Sequence, residues 1–305
     1  MLNIEELNNK VKDIFENEII GINIYVLMKN NELKKLNLVD NQDMENDLIR
    51  GFKELFYKTL KELEKIDKYS EADKIENHIY LYDLENKPIQ MEKMLENFSS
   101  QEIETTTDFL NVEGFLILIG NETQKIVIYK KHYAMNLLKK DKFLFMNIDN
   151  RITKANTEVL RFGFNFDFFS LESDIYIPNI AKLERVCKIY DILKKEASKG
   201  IKKIEEIDII ENTTLLLDEI EKIGFAKQVI KACGENSILN NISKEKLFEY
   251  IKNNPRYSID ISNNKIMLNT KKAITNFIKI LNEEILISKL TNTEYEVHSK
   301  NKFTE

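Results

Sequence analysis

The chain has 305 residues, of which 43% are hydrophobic and 31% are charged, with only 8 Gly and 3 Pro. This composition is typical of a soluble globular protein of one large or two ordinary domains, and it excludes a disordered or linker-rich chain. Residues 1–180 hold 23 Lys and Arg against 32 Asp and Glu, whereas residues 181–305 hold 22 against 19. A mildly basic half on an acidic protein permits contact with nucleic acid without demanding it.

The sequence carries no signal for membrane insertion or export. Its longest apolar runs, such as Phe115 to Ile119, are far shorter than the roughly 20 residues that span a bilayer. The N-terminal segment is charged throughout and lacks the apolar stretch of a signal peptide. Cys187 and Cys233 have no spacing suited to metal or redox chemistry. We therefore expect a cytoplasmic protein with reduced thiols.

The first 150 residues predict an antiparallel sheet covered by one long helix. Residues 19–28 read as a buried strand, with residues 36–39 as its hairpin partner. Further strands are predicted over residues 79–84, 115–119, 125–129 and 143–148. A helical stripe with steps of three and four residues consists of Leu48, Phe52, Leu55, Phe56, Leu60 and Leu63. We interpret this helix as a cover on the sheet, and a partner-binding helix is the alternative.

A hairpin that leads into a helix is predicted at the centre of the chain. Four phenylalanines alternate from Phe162 to Phe168, as on one face of a strand, and Asp174–Pro178 returns as a second strand. Pro178 ends the pairing, and Asn179 offers its side chain as an N-cap. One helix is predicted to follow, with apolar positions at Leu183, Val186, Cys187, Tyr190 and Leu193.

The remaining residues predict short helices and small hairpins. Lys194–Lys203 is interpreted as a positively charged connector around Gly200. Ser243 and Thr270 are predicted to cap helices that flank a hairpin turning at Asn263-Asn264. The order helix, hairpin, helix would also suit a winged-helix DNA-binding module. The predicted fold class is α+β, with a β-rich N-terminal domain (1–150) that has a long covering helix, and a mostly helical C-terminal domain (151–305) with small hairpins.

The search for catalytic motifs is mostly negative. The phosphate-binding, dinucleotide-binding, nucleophile-elbow and zinc-protease motifs are absent from the sequence, and its three histidines lie far apart. We therefore expect no metal, no cofactor and no catalytic residue. A metal-dependent nuclease is the enzymatic alternative, because Glu32–Lys34 and Glu85–Lys87 match a Glu-x-Lys pattern, the second preceded by Asp83.

Lysine clusters are the other candidates for function. Positive charge at spacings that match a phosphate backbone gives sequence-independent, salt-sensitive affinity. The alternative is that exposed lysines only keep the protein soluble. The residues 194–203 and the C-terminal tail are favoured because neither contains a compensating acidic run. The candidate DNA-binding residues are Lys194, Lys195, Lys199, Lys202, Lys203, Lys271, Lys272, Lys300 and Lys302.

Two stretches resemble the KwaB family, the soluble subunit of the Kiwa anti-phage system. FDFFSLESDIYIPNIAKLERVCKIYDIL presents the family's strand–turn–strand–helix positions at Asp167, Ile175, Tyr176, Ile177, Asn179 and Glu184. EEILISKLTNTEYEVHSKNKF presents its C-terminal positions at Ser288, Leu290, Thr291, Tyr295, Ser299 and Lys300. The resemblance covers about residues 110–305 and rests on aromatic and framework positions.

The resemblance implies an oligomeric, non-enzymatic defence effector, a homodimer or a larger homo-oligomer. It would bind double-stranded DNA and restrain phage DNA replication and late transcription. It would work in the cytoplasm, recruited to the inner face of the cell membrane by a KwaA-like membrane protein, with a link to the host RecBCD machinery. The alternatives are the partner-activated nuclease and a sensor or scaffold that binds only protein through apolar strand edges.

Overall fold

A computed structural model describes residues 3–36, 42–71, 75–96, 103–106, 109–138, 145–148, 151–154, 159–235, 237–288 and 290–297 of the chain. Helices in this described part are α1 Ile4–Phe15, α2 Gln42–Lys61, α3 Ile89–Leu95, α4 Ile180–Cys187, α5 Tyr190–Glu206, α6 Thr214–Glu219, α7 Ile223–Ala232, α8 Lys244–Lys252 and α9 Lys271–Leu281. The predicted α+β class is confirmed.

The strands lie mostly in the first two thirds of the chain. They are β1 Gly21–Met28, β2 Leu33–Leu36, β3 Lys65–Lys68, β4 His78–Leu81, β5 Thr105–Thr106, β6 Val112–Gly120, β7 Lys125–Lys131, β8 Leu137–Leu138, β9 Phe145–Ile148, β10 Arg151–Lys154, β11 Val159–Leu160, β12 Phe168–Leu171, β13 Asp174–Ile177, β14 Asp260–Ser262, β15 Lys265–Met267, β16 Ile285–Ile287 and β17 Glu294–Glu296.

The chain divides into two compact units. Unit 1 contains residues 1–67, 76–82 and 87–187, and unit 2 contains residues 68–75, 83–86 and 188–305. The domain boundary that the sequence suggested at residue 150 stays a prediction.

A nine-stranded sheet dominates unit 1, in the order β3-β4-β13-β12-β7-β6-β1-β2-β5. From β4 to β2 in this order neighbouring strands are antiparallel, whereas β2 and β5 are parallel. The β6–β7 hairpin needs Gly120 at its turn, because Gly120 has a φ of +140° and an added Cβ would lie 2.2 Å from the Gln124 carbonyl oxygen.

One face of the sheet is covered by α1 and α2. The predicted apolar stripe on α2 is confirmed: Phe52, Phe56 and Leu60 are buried in a core that also contains Phe115 and Ile128. Burying each such side chain stabilises the fold by about 1.5–3 kcal/mol. Helix α1 was not predicted, although Asn3 and Glu6 form a capping box at its start.

The aromatic stretch before β12 is not a strand, so that prediction is wrong over residues 162–167. Its phenylalanines pack instead against helix α2: Phe166 stacks on Phe56 with ring centroids 4.8 Å apart, and Phe164 meets Phe52 edge-on at 5.4 Å. In this segment the alternating aromatic residues therefore belong to an irregular stretch that ring packing holds against α2.

The hairpin and the helix cap at the centre are confirmed, but the single helix is not. β12 pairs with β13, and the Asn179 side chain accepts a hydrogen bond from the Lys182 backbone N–H at 2.9 Å. The predicted helix is two helices, because Lys188 adopts a left-handed conformation with φ +51° between α4 and α5. A residue in this conformation commonly ends a helix.

Unit 2 contains α5 to α9 and two small hairpins, β14–β15 and β16–β17, which confirms the predicted character of the C-terminal half. The turn at Asn263 and Asn264 has positive φ at both residues, and Ser243 and Thr270 cap α8 and α9 as predicted.

The predicted connector over Lys194–Lys203 is wrong, because the segment lies inside α5. Gly200 is buried there, and a Cβ added to it would come within 3.1 Å of the Cys233 Cβ. The glycine therefore permits close packing of α5 beside the end of α7 and does not break the helix.

Candidate nucleic-acid interface and a buried charge cluster

The α5 lysine face consists of Lys194, Lys195, Lys199, Lys202 and Lys203. Helix α5 buries Leu193, Ala197, Gly200, Ile201 and Ile204. The lysines occupy the positions between these buried ones, so the amphipathic pattern of the helix turns them toward solvent.

Two lysines of this face are engaged with carboxylates. Lys194 forms an ion pair with Glu221 at 2.5 Å. Lys199 forms ion pairs with Glu85 at 2.5 Å and with Glu196 at 3.0 Å. Two of these three carboxylates, Glu221 and Glu85, come from distant parts of the sequence, so inspection of the local sequence could not reveal them.

Three lysines of the face have no ion pair within the part of the chain that the structure describes, and we call them the free lysines. Lys195, Lys202 and Lys203 are exposed, and no ion pair joins them to a carboxylate within the described ranges. Lys195 and Lys202 are seven residues apart, which is close to two helical turns and about 10 Å along the axis. The two ammonium groups therefore extend from the same side of α5.

The remaining predicted lysines are less clearly grouped. Lys271 and Lys272 begin α9, where the Thr270 hydroxyl accepts a hydrogen bond from the Ala273 N–H at 3.1 Å. Lys271 pairs with Glu219 at 3.1 Å, whereas Lys272 is exposed without an ion pair in the described part of the chain. Lys300 and Lys302 lie outside the described residues.

The residues of the nuclease alternative have structural partners. Asp83 accepts hydrogen bonds from the backbone N–H of Ser70 at 2.8 Å and from its hydroxyl at 2.5 Å. Glu85 is the partner of Lys199, and Glu32 lies 4.0 Å from Lys34. Among the described residues, no three His, Cys, Asp or Glu side chains are grouped so that they could hold a metal ion.

A second charged group, which the search for function missed, is buried in unit 1. We call it the Asp167 cluster: Asp167, Lys131, Lys182, Glu113 and Gln90. Asp167 is only 3% exposed. One carboxylate oxygen pairs with Lys182 Nζ at 2.6 Å, and the other accepts from the Lys131 backbone N–H at 2.6 Å. Asp167 thus links β7 to α4.

The cluster continues from Lys131 to α3. Lys131 Nζ and Gln90 Nε2 each lie 2.9 Å from the same carboxylate oxygen of Glu113. Gln90 is buried, while Lys131 and Glu113 are partly buried. Because each charge has a partner of opposite sign or a hydrogen bond, the cluster satisfies the requirement for burying ionised groups.

Lys130 anchors the aromatic segment from the opposite face of the sheet. Its ammonium group donates to the Gly163 carbonyl at 2.6 Å and to the Asn165 side chain, and it lies 5.2 Å from the Phe162 ring centroid. Burial lowers the pKa of Lys130 to about 8; Asp167 opposes the shift and Lys182 adds to it. These contacts fix the segment that joins β11 to β12.

Burial also shifts the pKa values of the neighbouring titratable groups. It raises the pKa of Tyr129 well above the ordinary value and raises that of the Cys187 thiol. It lowers the pKa of His132, with Lys29 adding to the effect. A buried thiol with a raised pKa is a poor nucleophile. Because both of its carboxylate oxygens are engaged, the geometry around Asp167 supports a framework role.

The sequence contained one signal of this cluster. Asp167 stands alone in an aromatic run and is one of the positions that carry the family resemblance. Lys131, Lys182 and Gln90 could not have been found, because nothing local relates them to Asp167 before the sheet is assembled.

The edges of the sheet give limited support to the alternative of a sensor or scaffold that binds only protein. Edge strand β3 begins and ends with lysine, and the other edge strand, β5, has two residues. Charged and short edges discourage pairing with another chain. The β16–β17 hairpin does expose apolar side chains, among them Leu290, which is 98% exposed.

The chain is thus an α+β protein with a buried ionic framework in one unit and an exposed lysine face in the other. No helix within the described ranges has the length and apolarity needed to cross a membrane. No solved structure is significantly similar to the chain.

Sequence comparison identifies the family. The model of the family described as "Kiwa protein KwaB-like" matches residues 109–291, more than half of the chain, so the chain belongs to this family. It is also 24% identical to the Kiwa protein KwaB of Escherichia coli O55:H7 (strain RM12579 / EPEC) over 315 aligned positions, which cover 99% of both chains. The resemblance is confirmed, and it assigns the chain to Kiwa anti-phage defence.

Proposed function

We propose that this chain is a DNA-binding effector of anti-phage defence, and that the free lysines of the α5 lysine face contact double-stranded DNA. The effector restrains phage DNA replication and late transcription together with a KwaA-like membrane partner. One observation carries the proposal: Lys195, Lys202 and Lys203 are exposed on one helix without carboxylate partners in the described chain.

The electrostatics of DNA explain why free lysines matter. A lysine that neutralises a phosphate releases condensed counterions, and this release supplies most of the non-specific affinity for DNA. A lysine already paired with a carboxylate must first give up that partner, so its net contribution is smaller. Lys195, Lys202 and Lys203 are therefore the expected phosphate contacts of α5, with Lys272 as a further one.

Family membership supports the wider proposal. The relative's name places KwaB in the Kiwa system. We propose that this chain acts in the cytoplasm as a homodimer or larger homo-oligomer, is recruited to the inner face of the membrane by its KwaA-like partner, and has a link to the host RecBCD machinery. Co-purification of the two proteins from membranes, followed by measurement of the oligomer mass, tests this arrangement.

The DNA proposal is tested by fluorescence anisotropy with a labelled duplex of about 30 base pairs, between about 50 and 200 mM salt. We expect binding at low salt that weakens as salt rises, and weaker binding for the triple variant Lys195→Gln/Lys202→Gln/Lys203→Gln. No binding to any nucleic acid at low salt contradicts the DNA proposal. Tight binding unaffected by the triple variant removes the α5 lysine face from it.

The non-enzymatic part of the proposal needs a separate experiment. The purified complex of this chain with its membrane partner is incubated with phage DNA and Mg²⁺. We expect DNA of unchanged length, because the carboxylates Asp83 and Glu85 are occupied by structural partners. Shortened DNA would instead establish the nuclease alternative.

A further inference from the structure

A cleft of about 250 Å³ opens in unit 1, near the turn of the β6–β7 hairpin. Helices α1 and α3 and strands β7 and β12 contribute its walls. Its apolar lining includes Ile14, Met94, Val127 and Leu171. A concave, mostly apolar surface with a few polar groups is the usual form of a small-molecule site.

Among the described charged side chains around this cleft, one cation has no carboxylate partner. Lys10 is paired with Glu172 at 2.5 Å, and Glu96 is paired with Lys93 at 2.6 Å. Lys125 also lines the cleft, and no ion pair joins it to a carboxylate in the part of the chain that the structure describes. The uncompensated charge of the cleft is therefore positive.

A hydroxyl adds a second polar feature. Ser170 lines the cleft, and its side chain makes no hydrogen bond with another described residue. Its oxygen is not one of the described buried polar atoms that lack a partner, so it remains accessible from the cleft. A hydroxyl can both donate and accept, so it can donate a hydrogen bond to an acceptor group of a bound molecule.

We propose that this cleft binds a small amphipathic anion. The apolar body of the ligand lies on Met94 and Val127, its anionic group lies near Lys125, and the Ser170 hydroxyl donates a hydrogen bond to it; Lys125, Val127 and Ser170 share one face of the sheet. The cleft belongs to unit 1, whereas the lysines proposed to bind DNA belong to unit 2. The inference therefore does not depend on DNA binding.

The first experiment compares two fluorescent probes of similar shape on the full chain. The anionic probe is 8-anilinonaphthalene-1-sulfonate, and the neutral one is N-phenyl-1-naphthylamine. We expect saturable one-to-one binding of the anionic probe to the folded protein, tighter than that of the neutral probe. Absence of saturable binding of the anionic probe, or equal affinity for both probes, overturns the proposal.

Three variants then test the site. Lys125→Glu should weaken the anionic probe up to about 5-fold and leave the neutral probe unchanged, since an ion pair at a partly exposed site is worth up to about 1 kcal/mol. Ser170→Ala keeps the packing and should weaken the anionic probe about 3-fold. Lys58→Glu, on an exposed position of α2 outside the cleft, should change neither.

Circular dichroism confirms that each variant is folded before titration. Equal weakening of both probes by Lys125→Glu would overturn recognition of the anionic group. The same affinity in Lys125→Glu and Lys58→Glu would show that the anion binds elsewhere.

Discussion

The Asp167 cluster and the α5 lysine face use the same kinds of side chain in opposite ways. In the cluster, Asp167 is 3% exposed and both of its carboxylate oxygens are engaged, by Lys182 and by the Lys131 N–H. On α5, Lys195, Lys202 and Lys203 are exposed and have no carboxylate partner among the described residues. The number of charges is similar in the two regions, but their environments differ.

Environment determines what a charge can do. Breaking a buried ion pair lowers the stability of the fold, because a single charge left without its partner in a low dielectric is strongly unfavourable. An exposed, unpaired lysine contributes little to folding and remains available to a polyanion. Substitutions in the cluster should therefore change stability, and substitutions on α5 should change binding.

The largest expected effect follows from removing the centre of the cluster. Asp167→Ala leaves Lys182 without its counter-charge and the Lys131 N–H without its acceptor, so we expect a loss of about 3 kcal/mol in the free energy of unfolding. Urea denaturation measures it. The control is Asp191→Ala on the exposed surface of α5, which should change stability by no more than about 0.5 kcal/mol. Equal losses in the two variants would erase the contrast between the regions.

The next largest effect concerns the packing that positions the lysine face. Gly200→Leu places a side chain against Cys233, where even a Cβ would be 3.1 Å away, so we expect a loss of about 2 kcal/mol from overpacking. Adding Cys233→Ala should recover part of the loss, because it removes the sulfur that the new side chain meets. Thermal unfolding of the two variants checks this. An unchanged melting temperature for Gly200→Leu would show that α5 is loosely packed there.

A smaller effect is expected from pH at Lys130. Its pKa is about 8 in the folded chain and about 10.5 as the ordinary value. Between these pH values the unfolded chain holds more protons at this site, so the free energy of unfolding rises with pH. From pH 8 to 9 we expect wild type to gain up to about 1 kcal/mol relative to Lys130→Met, after allowance for solvent screening.

Other titratable groups limit, on the alkaline side, the pH range in which the effect of Lys130 can be seen. The raised pKa values of Cys187 and Tyr129 act in the opposite direction once their unfolded forms ionise. Both proteins carry these groups, so the difference between wild type and Lys130→Met isolates the lysine. Parallel pH profiles would contradict the effect of burial on Lys130.

Local sequence predicted features that depend on neighbouring residues. The apolar stripe of α2, the caps at Asn179, Ser243 and Thr270, and the turn at Asn263-Asn264 each follow from a few adjacent side chains, and each is confirmed. The α+β class follows from the order of such elements.

Features that depend on tertiary packing could not be predicted. Gly200 suggests a break when it is read alone, but its lack of a side chain serves the contact with Cys233 inside a continuous helix. Phe164 and Phe166 alternate like a strand, yet they pack on the rings of α2. Lys199 looks free until Glu85 is placed beside it. In each case the decisive partner is distant in sequence.

The central claim is that the free lysines of α5 bind DNA and the paired ones do so much less. Two double variants carry the same change in net charge: Lys195→Gln/Lys202→Gln removes free lysines, and Lys194→Gln/Lys199→Gln removes paired ones.

The most direct measurement is the salt dependence of DNA affinity for wild type and these two variants. The slope of log affinity against log salt is negative, and each lost phosphate contact makes it less steep by about 0.9. We expect the steepness to decrease by about 1.8 for Lys195→Gln/Lys202→Gln and by less than about half of that for Lys194→Gln/Lys199→Gln. Equal slopes for the two variants, or an unchanged slope for Lys195→Gln/Lys202→Gln, would contradict it.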